Sequence, residues 1–364
     1  RDLHSPAHIH FQYNGLVLAV QIFSLAALYE ARLVLSGALF CATVLLKHTH
    51  LVAAPFYLAY MLCVCARRFA LGGIAPAVRL FASLAASVVA CFSLAFAPFV
   101  YSGQIAVVLS RLFPFSRGLT HAYWAPNVWA LYNFLDRVLF AVGTRILGAE
   151  ALHSPSHFSS GLVGTWTHAV LPNITPTYTL LFTLLSMVPV LWCVCRLHPK
   201  GTLLTLCLCH LNAFLFAWHV HEKAIIPSVV LLNLHALIHR SHMNIVIVFN
   251  SIAIFSLFPL LTRIEESFVK FFLLAVFMLL VLVVVSFTLR TAPERALLVL
   301  NRVEAAYLSA MIPVGVLFFL QPVCLPALPF LPLLTTSVYC ACGVVYCWAA
   351  LLHTLVWPRH PFHV

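Results

Sequence analysis

The stretch FFLLAVFMLLVLVVVSFTL, residues 271–289, runs without one charged side chain. The core of a bilayer offers no water to satisfy backbone polar groups. A helix of about 20 apolar residues is the economical way across. Runs of this kind recur along the whole chain. Eleven candidate spans are expected, at about 16–29, 33–46, 51–66, 80–101, 178–195, 202–218, 224–239, 244–262, 268–289, 303–320 and 334–357. Several are short for a full crossing, so their ends should extend into the flanks or fold back as re-entrant pieces. Composition agrees: 63% of the 364 residues are hydrophobic and 8% are charged, against about 25% charged in soluble domains. The expected fold class is all-α and polytopic. Residues 1–364 read as a single multi-span membrane domain, with a long segment outside the membrane at about 102–177. Within it, VWALYNFLDRVLFAVG at 128–143 reads as an interfacial helix with Asp136 and Arg137 at its water side.

The net charge of +11, from 20 Lys and Arg against 9 Asp and Glu, would suggest nucleic acid in a soluble protein. Here the cations sit in short loops and report topology, and no nucleic-acid partner is expected. Arg67, Arg68, Arg79, Arg196, His198, Lys200, Arg240, His242, Arg290, Arg295, Arg302 and Arg359 all fall on one side if the spans alternate. That side is cytoplasmic by the positive-inside rule. The 12 cysteines include CVC at 63–65 and 193–195 and CLC at 207–209. These lie inside apolar runs and read as packing, with no zinc or disulfide pattern.

Three polar, aromatic motifs then share the opposite face. They are HIHFQYNG at 8–15, SRLFPFSRGLTHAYWAPNVWALYN at 110–133 and WHVHEK at 218–223. Arg111 and Arg117 break the charge rule there, in a loop longer than the roughly 60 residues over which it holds. A sequon, Asn173-Ile174-Thr175, lies on the same face. Pro176 follows it, and poor use is expected.

Each motif has a bland reading and a chemical one. His219, His221, Glu222 and Lys223 sit at a span end, where ionisable groups mark either function or a polar belt. Two histidines two apart would point to different sides of a regular helix, yet at a helix end both can reach water. His8, His10, Gln12, Tyr13 and Asn14 can hydrogen-bond or stack on a sugar, or simply form an aromatic belt with a turn at Asn14-Gly15. Arg111 and Arg117, beside aromatics, suit a bidentate grip on phosphate or on lipid headgroups. Together the three imply a cleft for a lipid-linked phosphosugar: tail in the bilayer, phosphate on cations, sugar in water.

The motifs HIHFQYNG, SRLFPFSRGLTHAYWAPNVWALYNFLD, SGLVGTWTHAVLPNITP, WHVHEKAI, SLFPLL and FLPLLTTSVYCACGVVY together resemble the dolichyl-phosphate-glucose α-1,3-glucosyltransferases of the endoplasmic reticulum. The longer blocks look most like the branch that adds the second glucose to the lipid-linked oligosaccharide. The resemblance runs from about residue 8 to about residue 350. It implies a GT-C fold with a luminal active site, and no cofactor or metal. The implied partners are dolichyl β-phosphoglucose as donor, diphosphodolichol-linked Glc1Man9GlcNAc2 as acceptor, and the lipids of that membrane. It places His221, with Lys223, Arg111 and Arg117, at the donor phosphate. It places His8, His10, Gln12, Tyr13, Asn14, His121, Tyr123, Trp124, His219 and Glu222 around the sugar and acceptor.

An inverting transfer also needs a general base. In the family this carboxylate follows the first membrane helix, so it is expected upstream of Arg1, and the catalytic base is unassigned. Ala7 stands where relatives carry Asp. Glu222 is a poor stand-in, with Lys223 and membrane packing expected to occupy it. The alternatives are the sister enzyme that adds the first glucose, a non-catalytic remnant, and a membrane transporter. A transporter would show mid-span charges and repeated halves, whereas the charges here lie at span ends and no repeat is found.

Overall fold

The structure is a computed structural model that describes residues 13–112, 118–121, 124–147, 167–194, 201–239, 242–260, 267–290 and 300–357. Those residues form helices throughout, with one isolated β-bridge. The helices are α1 (Asn14–Tyr29), α2 (Leu33–Leu46), α3 (Ala54–Gly72), α4 (Ile74–Tyr101), α5 (Ile105–Leu112), α6 (Val128–Leu147), α7 (Pro176–Val194), α8 (Thr202–Phe216), α9 (Ile226–His239), α10 (Met243–Phe255), α11 (Ser267–Arg290), α12 (Arg302–Ser309), α13 (Met311–Cys324) and α14 (Leu331–Val356). Each of the eleven apolar runs coincides with one helix or, at 303–320, with the pair α12 and α13. Among the described residues, six stretches are long and apolar enough to cross a membrane: His48–Gly72, Ile74–Tyr101, Pro176–Val194, Met243–Leu260, Arg302–Cys324 and Leu331–Val356. The helices α1, α2 and α8 are apolar but shorter. Large apolar side chains are exposed on these helices, among them Leu94 at 84% and Leu71 at 91%. Such faces suit lipid rather than water as the surrounding solvent. The protein is a multi-pass membrane protein.

The chain divides into two compact units, Arg1–Pro114 with Leu191–Cys209, and Phe115–Val190 with His210–Val364. In the first, α1 packs on α2, and α4 packs on α2 and α3. Polar pins set the register of this apolar bundle. Ser24 Oγ lies 2.8 Å from the Ser36 carbonyl and 2.9 Å from the Tyr57 hydroxyl. His50 Nδ1 meets Gln21 Oε1 at 3.0 Å. Small hydroxyls and amides are effective glue where the alternative is an unpaired group in hydrocarbon. Cys63 takes part in a disulfide, which the cysteine spacing did not suggest, while the ten other described cysteines are in the thiol form.

In the second unit α10 is the buried centre, packed on α9, α11 and α14, with α6 against α14. Asn233 and Asn250 exchange amide hydrogen bonds at 2.9 and 3.0 Å between α9 and α10. Trp348 Nε1 on α14 donates to Asn212 Oδ1 on α8 at 2.6 Å. The start of α6 is set by Asn127, whose Oδ1 accepts the N–H of Trp129 and of Ala130 at 3.1 and 3.2 Å, an N-cap. Its amide and the indole of Trp129 then donate to the carbonyls of Phe214 and Ala217 at the end of α8.

The expected interfacial helix exists as α6, but Asp136 does not face water. It is fully buried and accepts the backbone N–H groups of Ala169, Val170 and Leu171 at 3.0, 2.9 and 2.8 Å. Arg137 is half-buried, with its guanidinium carbon 5.9 Å from the Trp124 ring centre. Asp136 thereby fastens residues 169–171 to α6.

Candidate functional site

The segment after α8 departs from helix because His219 adopts φ +51°, in the left-handed region. That twist turns the chain against residues 118–121. His219 N–H donates to the Leu119 carbonyl at 2.9 Å, and Thr120 and Val220 form a parallel bridge. His219 Nδ1 lies 2.7 Å from the Gly118 carbonyl. A carbonyl only accepts, so that nitrogen carries the hydrogen. Below the bridge, Thr120 Oγ1 takes the Asn133 amide at 3.3 Å, and Asn133 Oδ1 meets His168 Nε2 at 3.1 Å. His221 then caps a short 3-10 turn, Glu222–Ile225, before α9 begins with Pro227 in its first turn.

This geometry gathers four expected site residues, His121, His219, His221 and Glu222. The His121 ring centre lies 4.5 Å from that of His221 and 5.7 Å from that of His219. Glu222 Oε2 is 3.1 Å from His221 Nδ1 and 3.8 Å from His121 Nδ1. The carboxylate is 1% exposed, whereas the two rings are 41% and 27% exposed. Both partners are histidines, not the Lys223 that the sequence suggested would occupy Glu222. The 3.1 Å separation is of hydrogen-bond length, yet neither carboxylate oxygen has an aligned N–H donor. Burial pushes the Glu222 carboxyl up to about 7, against the residue's own nearby backbone N–H and the Lys223 charge, which favour ionisation. Among the described residues this is the group of three whose donor atoms, within 4.8 Å of one another, are compact enough to share a single cation, whether a proton or a metal.

Five of the other expected residues are described. Trp124 is buried, packed with Ala130 and Ala341, and its carbonyl accepts from Ser337 Oγ at 2.5 Å. Lys223 is half-buried beside the cluster. Arg111, exposed at the end of α5, belongs to the other unit, as do Tyr13 and Asn14. Tyr13 donates to the Leu46 carbonyl at 3.1 Å, and Lys47 Nζ donates to Asn14 Oδ1, so this pair ties α1 to the end of α2. His8, His10, Gln12, Arg117 and Tyr123 lie outside the described residues. Sequence reasoning passed over Asn133 and His168, which support the bridge from below. Both sit inside motif blocks already quoted, so the signal was their presence in those blocks, not their spacing. The sequon residue Asn173 is exposed, and its Oδ1 accepts the backbone N–H of His168 at 2.8 Å.

Known proteins place this arrangement in context. The family model described as "ALG6, ALG8 glycosyltransferase family" matches residues 7–351. Relatives named dolichyl pyrophosphate Glc1Man9GlcNAc2 alpha-1,3-glucosyltransferase occur in animals, plants and fungi. That of Mus musculus is 38% identical over 359 residues, 94% of this chain and 67% of the relative. That of Arabidopsis thaliana is 36% identical over 355 residues, covering 94% and 69%. That of Schizosaccharomyces pombe is 37% identical over 356 residues, covering 95% and 69%.

Proposed function

The chain belongs to the ALG6, ALG8 glycosyltransferase family, and on that premise we propose that it transfers glucose to the lipid-linked precursor of N-glycans. The observation that carries this reading is the identity of 36–38% along nearly the whole chain to relatives of one printed name. The donor is dolichyl β-phosphoglucose and the acceptor is Glc1Man9GlcNAc2-diphosphodolichol, which becomes Glc2Man9GlcNAc2. The protein is a GT-C enzyme of the endoplasmic reticulum, one multi-span domain with eleven spans and a luminal site. The placement of the cationic loops supports that orientation.

In the reaction the acceptor hydroxyl oxygen bonds to glucose C1 as the C1–O bond to phosphate breaks, with inversion. The hydroxyl proton goes to a general base, and dolichyl phosphate leaves with a second negative charge. His221, exposed at the lip of the cluster, contacts the donor phosphate, with Lys223 and Arg117 as further cations. His121, His219 and Glu222 shape the wall behind it.

The purified chain in nanodiscs, given both substrates, should lengthen the released glycan by one α-1,3-linked hexose. Transfer to Man9GlcNAc2 instead would identify the enzyme of the first glucose. No transfer to either acceptor would refute the reading, and solute movement across liposomes without transfer would replace it with transport.

A further inference from the structure

Glu222 is the least accommodated polar group of the site. Its carboxylate is 1% exposed, and neither oxygen has an aligned hydrogen-bond donor. An ionised carboxylate left so would be costly. A protonated carboxyl would not, because its O–H can rotate onto an acceptor. One is at hand: His221 Nδ1 lies 3.1 Å from Oε2, and its single lone pair otherwise meets the backbone N–H of Lys223, at a long 3.4 Å that the closer O–H can displace. A ring nitrogen that accepts is bare, so a neutral His221 carries its hydrogen on Nε2, at the far edge of the ring.

We propose that Glu222 is a positioning residue that stores a proton for His221. It holds the ring in the Nε2–H form that meets the donor phosphate, and it refills the ring from behind as the phosphate departs. The inference rests on the glucosyl-transfer reading above. The step balances. When C1–O cleavage adds a negative charge to the phosphate, the Nε2 proton passes to a phosphate oxygen and the Glu222 proton passes to Nδ1. The products are singly charged dolichyl phosphate, neutral His221 with hydrogen on Nδ1, and ionised Glu222. Solvent reprotonates the carboxylate after product release.

Among the described residues, the titratable and charged groups that face Glu222 are His221 and Lys223 on its own turn and His121 from the 118–121 segment, with the His219 ring behind His121. The residue's own backbone N–H and Lys223 favour ionisation, but burial outweighs them and raises the carboxyl to about 7, so the store is half filled at that pH and fills as pH falls below it. Residue 118–121 and 219–222 contacts hold the two walls of the cluster together through the bridge at Thr120 and Val220.

Glu222→Gln keeps the shape and removes the transferable proton. In the purified chain, kcat for glucosyl transfer should fall on the order of 100-fold, while KM for the donor stays within about threefold, because Nε2–H still meets the phosphate before reaction. The alkaline limb of kcat should move to lower pH, since a lone imidazole releases its proton sooner than a carboxyl–imidazole pair. Infrared pH titration of the same protein, without substrate, gives a readout independent of turnover. Wild type should show a carboxylic-acid C=O band that disappears as pH rises through 7, and the Gln variant should lack it. A variant that folds and loses kcat with an unshifted pH profile, or a wild type without the acid band near pH 6, overturns the proton store. A band that behaves as described in a wild type that transfers no glucose overturns the glucosyl-transfer reading and leaves the store standing.

Discussion

Asp136→Asn is the sharpest test of how residues 167–173 are held. The wild-type carboxylate is buried and takes three backbone N–H groups, from Ala169, Val170 and Leu171, at 2.8–3.0 Å. Burial alone would raise its pKa. The three N–H donors and His168 outweigh burial and hold it below the usual carboxylate range. A depressed carboxyl stabilises the folded state at every pH above its ordinary value and loses that contribution only as pH falls through the folded one. At neutral pH the whole contribution is present. Three charge-assisted bonds at the low end of about 1.5 kcal/mol each give roughly 4.5 kcal/mol. Asparagine keeps one acceptor oxygen and points its NH2 at donors, so most of this goes. Water recovers part, because Val170 is exposed. A local cost of about 3 kcal/mol remains, and at 1.4 kcal/mol per decade that is on the order of 100-fold faster opening. Hydrogen exchange of the peptide covering 167–175 measures it directly. Exchange within about threefold of wild type would refute the claim that Asp136 fastens this segment.

Glu222→Gln should also change stability with a definite sign. A carboxyl raised from 4.5 to about 7 contributes fully below its unfolded value and loses that contribution as pH climbs through 7. Above that the wild type carries a penalty of about 3 kcal/mol, at roughly 1.4 kcal/mol per tenfold in proton affinity, which the Gln variant lacks. The Tm difference in favour of the variant should widen between pH 5 and 8, and parallel curves would contradict it. His221→Ala should lower transfer on the order of 100-fold while the protein still folds, with a loss of about 1 kcal/mol from the missing cap of the 222–225 turn, and wild-type turnover would remove the phosphate role. Gly343→Ala should destabilise by about 1–3 kcal/mol, because a Cβ there would lie 2.3 Å from Ile252 Cδ1 and 2.7 Å from the Tyr307 hydroxyl. A Tm equal to wild type would show that α10, α12 and α14 have slack at that point.

The helices were legible because a membrane leaves a chain so little choice. Runs such as 271–289 have no sensible alternative to helix, and the eleven expected spans all fall on helices. What the runs did not disclose is how polar groups fasten them. Asp136 was assigned to water because it lies next to Arg137 on an amphipathic helix. Its partners are 33–35 residues further on, and no local pattern encodes them. Tyr13 and Asn14 suit a sugar by residue type, and the structure shows a further role, hydrogen bonds to Leu46 and Lys47 that the sequence does not disclose. A hydrogen-bonding side chain near a membrane face serves a ligand or a helix end equally well, and composition does not separate the two.

The histidine cluster shows the same limit from the other side. His219 and His221 stood out at once, but on a regular helix they would diverge. What brings them to one wall is the left-handed His219 and the parallel bridge to residue 120, which also delivers His121 from 100 residues upstream of His221. Local sequence names the residue types; a non-local pairing decides that they meet. Glu222 goes one step further. Nothing in HVHEK says whether the glutamate or the lysine turns inward, and by charge alone the two are equally unwelcome inside. The carboxyl is the group that can become neutral there while still donating to a bare ring nitrogen, whereas a neutralised lysine could not hold a phosphate. With Glu222 inside and Lys223 half-exposed, the turn keeps its fixed positive charge toward the water and its exchangeable proton behind the histidine. That order along the chain is what a site needs if it must grip an anion first and neutralise the charge that the anion gains on leaving.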